Sequence, residues 1–166
     1  MQTEMTLKTP VGLEEIIATF GDIREYIRRD GSLDRRWEED FLALITLPFS
    51  LPLAWDPAQA IRRFRCHKRL APILGEVFGQ IAERGVESQI TSFGGCYAFR
   101  PQRGASKLSA HCWGIAIDLN PQTNAMGTAG TMDRGVVEAF TEAGFEWGGS
   151  WTARRDPMHF QFCQEY

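Results

Sequence analysis

The run Gly114-Ile-Ala-Ile-Asp118-Leu constrains this chain more than any other. Read as a strand, it sends Ile115 and Ile117 to one face and Gly114, Ala116 and Asp118 to the other. Two branched apolar residues anchor such a strand in a core. The opposite face carries only very small residues and one carboxylate, which leaves space beside Asp118 for something bulky. The strand must therefore sit inside a sheet with a packed side and an open side.

The surrounding sequence says what kind of sheet. Before residue 85 the periodicity is mostly helical. Leu13, Ile16, Ile17, Phe20, Ile23 and Ile27 fall near helical spacing over residues 12–29, with Gly21 as an interruption. Residues 33–46 also read as helix, and LPFSLPLAW after them as an extended linker, because its prolines disfavour helix before them. Residues 60–66 read as a strand. Leu70, Ile73, Leu74, Val77, Phe78 and Ile81 make one apolar stripe over residues 68–84, stopped at Gly85. Beyond it, glycines become frequent and short alternating runs appear near 88–93, 112–119 and 158–163. Residues 132–143 predict one more helix, stopped by Gly144. The expected fold is α+β: N-terminal helices, then a small antiparallel sheet with packed helices. The 166 residues suggest a single domain, with 1–60 as a helical N-terminal extension and 61–166 as the core that carries the chemistry.

The chain has three histidines, and two stand in informative surroundings. His111 lies seven residues before Asp118, so a bend near Gly114 brings it to the same face. In Asp156-Pro-Met-His159-Phe-Gln-Phe162, the phenylalanines alternate with His159 and Gln161, which places His159 opposite the core. Histidines and a carboxylate on a small-residue surface suit zinc. Asp156, on the loop entering that strand, suits a general base for water activated by a metal.

At this point the sequence resembles a known family. Ser109-Ala-His111-Cys-Trp-Gly114-Ile-Ala116-Ile-Asp118 matches the SxHxxGxAxD signature of the zinc D-Ala-D-Ala carboxypeptidases, a family that also holds phage L-alanyl-D-glutamate endolysins and D-Ala-D-Ala dipeptidases. Asp156-Pro-Met-His159 is similar to its second motif, D/E-x-x-H. GFEWGGSW at residues 144–151 resembles the segment before that motif in phage-type members, and Tyr97-Ala-Phe-Arg100 the stretch carrying the family's arginine. The resemblance covers about residues 66–163. It implies a hedgehog/DD-peptidase-like zinc fold and a Zn2+ cofactor. His111, Asp118 and His159 would be the ligands, Asp156 the catalytic acid/base, Arg100 the oxyanion donor and Ser109 a supporting substrate contact. The dipeptidase branch has Glu where this chain has Asp156, which favours the other two branches.

The expected function is zinc-dependent hydrolysis of peptidoglycan stem peptides by an endolysin-type endopeptidase. The alternatives are a D-Ala-D-Ala carboxypeptidase and, outside catalysis, a zinc-binding recognition module like the hedgehog signalling domains. Arg100 and Asp156 count against the last, because a binding site needs neither a base nor an oxyanion donor.

Composition bounds the partners. A formal net charge of −3 gives no global pull toward nucleic acid or anionic membranes, so neither is an expected partner. No apolar stretch reaches membrane-spanning length. The first ten residues, MQTEMTLKTP, lack a signal-peptide layout, so synthesis in the cytoplasm is expected, followed either by release to the cell wall through a phage-type lysis system or by action on cytoplasmic wall fragments. Cysteines 66, 96, 112 and 163 include no CxxC pair and read as reduced thiols, mostly in the core. Cys112 adjoins His111, but alternation points it away from the metal face. Trp113, Trp147 and Trp151 are open to two readings, as lining of a substrate cleft or as core, and Trp151 is carried forward as a substrate-binding residue. His67, in the basic run RRFRCHKRL, reads as part of a solvated strand end rather than a polyanion site. Gly94-Gly95 reads as a turn that frees the backbone before Arg100.

Overall fold

The computed structural model describes residues 7–100 and 107–166. The first six residues of MQTEMTLKTP, where a leader is not expected, lie outside the described residues. The elements run α1 (Gly12–Phe20), α2 (Arg36–Phe41), β1 (Leu42–Leu53), β2 (Asp56–His67), α3 (Ala71–Glu83), β3 (Phe93–Gly95), β4 (Ala116–Leu119), α4 (Arg134–Glu142), β5 (Glu146–Trp147) and β6 (His159–Gln161). Short 3-10 turns at Ile23–Tyr26, Glu87–Gln89, Ala110–Trp113 and Gly148–Ser150 join them. The strands form one six-stranded sheet in the order β2-β1-β3-β4-β6-β5. Every neighbouring pair is antiparallel except β1 and β3. The fold is α+β, as expected, and the sheet draws strands from both sides of residue 60.

The packed face is built from the predicted stripes. In α3, Leu74, Val77, Phe78 and Ile81 are buried, Pro72 occupies the first turn where no N–H is needed, and Gly85 follows with φ +70°. In α4 the Asp133 carboxylate accepts from Val136 N at 3.1 Å, and Val136, Ala139 and Phe140 are buried. Phe140 stacks on Phe160 of β6 with ring centroids 4.2 Å apart and meets Phe78 of α3 edge-on at 6.0 Å. Ile117 of β4 pairs with Phe160 in register, so both share the face that α4 covers. Asp118 pairs with His159, and Ala116 with Gln161, on the opposite face.

Four local expectations need correction. Residues 33–46 are helical only over Arg36–Phe41. From Leu42 the chain is extended and pairs with β2, burying Ile45, Leu47 and Leu51 on alternate positions. LPFSLPLAW is then not a linker but largely the second half of β1. Its prolines fall where the ladder is irregular: the register shifts between Thr46 and Leu51 and again between Pro52 and Leu53. At the first shift the Arg62 guanidinium donates to the carbonyls of Leu47 and Pro48, at 3.3 and 3.1 Å. The strand expected over 88–93 starts only at Phe93, because Asn120 Oδ1 accepts from the N–H groups of Thr91 and Ser92 at 2.8 and 3.2 Å. Gly94-Gly95 belongs to that strand and is not a turn.

His67 is buried, not solvated. Its Nδ1 accepts from Arg69 N at 3.1 Å, so Nε2 carries the hydrogen and donates to Phe20 O at 2.8 Å. Its basic neighbours Arg63, Arg65, Lys68 and Arg69 do face solvent. Among the described residues no helix is long and apolar enough to cross a membrane. All four cysteines are free and buried, as read from the sequence.

Candidate metal centre

Three separate backbone devices deliver three side chains to one point. Ser109 caps the Ala110–Trp113 turn, its hydroxyl accepting from His111 N at 3.2 Å. Gly114 then takes φ +70°, and a Cβ there would lie 2.7 Å from His67 N. Both the left-handed backbone and the close approach exclude other residues, so the bend that turns His111 back over β4 requires glycine. Asp118 sits on β4 beside Gly94, where a Cβ would press on the Asp118 Cβ and carbonyl at 3.1 Å. His159 opens β6 directly opposite Asp118.

His111 Nε2 lies 3.3 Å from Asp118 Oδ2, and His159 Nδ1 lies 3.0 Å from Asp118 Oδ1. One donor atom from each residue falls within 4.8 Å of the others. His111 Nδ1 is 2.6 Å from Cys96 O. A carbonyl only accepts, so Nδ1 carries the hydrogen and the Nε2 lone pair of the neutral ring faces Asp118. That Nε2 is buried and has no hydrogen-bond partner. Burial pushes the Asp118 carboxyl up, but the two imidazoles beside it, His111 foremost, hold it well below the usual carboxylate range. Burial pushes His159 down, but Asp118, Gln161 and Asp156 together outweigh that and raise it. A buried anion beside an unpartnered imidazole lone pair is an arrangement that could hold a cation. The donor set, two imidazoles and a carboxylate, is one that zinc takes in catalytic sites.

The centre opens into a cavity of about 160 Å³. Asp156 lines it from the loop before β6. Two supports hold that loop. Asp156 N donates to Gly148 O at 2.9 Å, and Trp147 Nε1 donates to Pro157 O at 2.7 Å. A Cβ on Gly148 would collide with the Asp156 carbonyl, so the Trp147-Gly148-Gly149 sequence exists to let the two segments touch. Arg100 and Ser109 line the cavity as well, with Ser109 N donating to Arg100 O at 3.2 Å. Trp151 lines it too: its ring lies 5.6 Å from that of His159 and its Nε1 donates to Glu146. Trp113, by contrast, is wholly in the core, donating to Gly21 O at 3.0 Å. Cys112 does turn from the metal face. The reason is not strand alternation: it sits in the 3-10 turn, with its thiol against Arg100.

The structure brings Arg100, Ser109, His111, Asp118, Trp151, Asp156 and His159, all singled out from the sequence, to the wall of one cavity. The sequence reading did not anticipate Met126, Arg154, Met158, Gln161 and Tyr166 in that wall. Gln161 was visible as a residue on the His159 face. The others come from loops and a tail with no periodic signal.

No curated protein matches the chain. Residues 103–162, the segment that carries His111, Asp118, Asp156 and His159, match the family described as D-alanyl-D-alanine carboxypeptidase, which supports at family level a peptidase acting on peptidoglycan.

Proposed function

We propose that this chain is a zinc-dependent peptidase that hydrolyses peptidoglycan stem peptides as an endolysin-type endopeptidase. One observation carries the reading. The His111, Asp118 and His159 donor atoms converge within 4.8 Å, and Asp156 and Arg100 line the same cavity. His111 Nε2, Asp118 and His159 Nδ1 would hold a zinc ion, which would supply a Lewis acid able to make a water acidic near neutrality, with a pKa of about 7. Asp156 takes a proton from the attacking water as its oxygen bonds to the scissile carbonyl carbon. When the C–N bond breaks, Asp156 returns that proton to the leaving amine. The Arg100 guanidinium donates to the carbonyl oxygen as it gains charge. Trp151 lies against His159 and offers the substrate an apolar wall.

The description of the matching family favours a second reading, removal of a C-terminal D-alanine. Zymography on purified peptidoglycan, with chelator and with zinc restored, tests the shared chemistry. Clearing that chelator abolishes and zinc restores is expected; clearing that survives chelation would overturn the metal reading. Mass spectrometry of the released fragments separates the bonds: free D-alanine marks the carboxypeptidase, and opened cross-links or stem peptides mark the endopeptidase.

A further inference from the structure

We infer that Gln161 is a positioning residue of the metal centre: its side-chain oxygen selects which nitrogen of His159 faces the metal, and residues 163–166 fix the amide that does so. The inference rests on the zinc reading above. It concerns a residue outside both motifs.

Gln161 lies two residues after His159 on the same face of β6 and is almost fully buried. It stands opposite Ala116, whose short side chain leaves room for the amide to fold back along its own strand. His159 Nε2 lies 2.8 Å from Gln161 Oε1. The Gln161 amide nitrogen lies 3.3 Å from Cys163 O and 3.4 Å from Tyr166 O. Both are backbone oxygens and only accept, so the amide nitrogen belongs on that side and the amide oxygen must face the imidazole. A flipped amide would set oxygen against two oxygens. With an acceptor at Nε2, the neutral ring carries its hydrogen there. The lone pair is then on Nδ1, the atom 3.0 Å from Asp118 Oδ1. Without the acceptor, the same ring gains by moving its hydrogen to Nδ1 and donating to Asp118. That tautomer has no lone pair to give a metal. The metal then competes with a proton for Nδ1.

The residues that orient Gln161 are themselves anchored. Tyr166 Oη donates to Leu108 O at 2.6 Å, its ring meets Trp113 edge-on at 5.8 Å, and Lys107 Nζ lies 3.9 Å over it. Gln164 N donates to Pro10 O, and Gly12 N donates to Gln164 O, each at 2.9 Å. The tail is thus pinned on both sides before it presents its oxygens to Gln161.

The test measures zinc affinity by competition with a chromophoric chelator, alongside the 15N signature of the His159 ring. Gln161→Leu removes the acceptor and is expected to weaken zinc by about 10- to 100-fold, the range for losing such an outer partner. Gln161→Glu keeps an oxygen toward His159 but sets its second oxygen against those of Cys163 and Tyr166, so it is expected to bind zinc more tightly than the Leu variant and less tightly than the parent. In the zinc-loaded parent, 15N shifts should place the hydrogen on Nε2 of His159. Equal zinc affinity in the Leu variant, or a hydrogen on Nδ1 in the loaded parent, would overturn the inference and leave the zinc reading standing. A parent that binds no zinc would overturn that reading instead. If Gln161→Leu fails to fold, the ring signature of the parent still decides.

Discussion

The Cys112 thiol grips the backbone of Arg100 from both sides: it donates to Arg100 O at 2.9 Å and accepts from Arg100 N at 3.3 Å. Burial pushes this thiol up, so it stays protonated and able to donate. Ser109 N adds a third bond to the same carbonyl at 3.2 Å. Cys112→Val removes both thiol contacts at nearly constant volume. It should lower kcat/KM about 10-fold, the equivalent of about 1.4 kcal/mol for one lost buried contact. Cys112→Ser should retain most activity. In an Arg100→Ala background, Cys112→Val should cost nothing further. Steady-state kinetics on the four variants checks this, and an equal loss in both backgrounds would show that the thiol does not act through Arg100.

Asp156 lies outside the ligand cluster, so metal binding and hydrolysis should separate there. Asp156→Asn should keep one zinc per chain by elemental analysis and lose about 100- to 10,000-fold in kcat. Retained activity would move the base elsewhere in the cavity.

His67 should make the protein acid-sensitive in a defined window. Burial pushes its pKa down to about 4, against only a partial rise from its bond to Phe20 O. The unfolded chain therefore binds this proton first, near its ordinary value of about 6.5. The stabilisation is complete above that value and is lost as pH falls toward 4, reaching about 3 kcal/mol. Urea unfolding from pH 7 to pH 4 should show a slope that flattens in His67→Gln. An unchanged slope would place the acid sensitivity in the carboxylates.

Gly114→Ala strains a left-handed residue and drives a Cβ toward His67 N. The strain alone costs about 1–2 kcal/mol, and the contact adds to it. Thermal melting should fall, and zinc affinity should fall with it, because the bend carries His111. A variant with normal stability and zinc binding would mean that the bend has other solutions.

The candidate ligands were legible because alternation survives in short strands: Ile117 and Phe160 mark the packed face, and Asp118 and His159 are what remains. Arg100 was reachable only through the family's motif, since nothing in its spacing points at a metal. β1 was misread because Ala43-Leu-Ile-Thr46 fits a helix or a strand equally, and pairing with Arg63–Cys66 decided the matter from a distance. Gln161 could be assigned to a face but not to a role, because its amide is oriented by backbone oxygens, and no side-chain pattern records those. His67 was misjudged for a similar reason: its partners are a helix-end carbonyl and a main-chain N–H.

The stitching of Pro10 and Gly12 to Gln164 joins segments separated by nearly the whole sequence. Contacts so distant in sequence carry a loop-closure cost that local helices and the β1–β2 hairpin do not, so this seam is expected to form after them. The oxygens that orient Gln161 flank this last seam. A metal that requires both histidines and Asp118 in register would then be captured late in folding and would not serve as its nucleus.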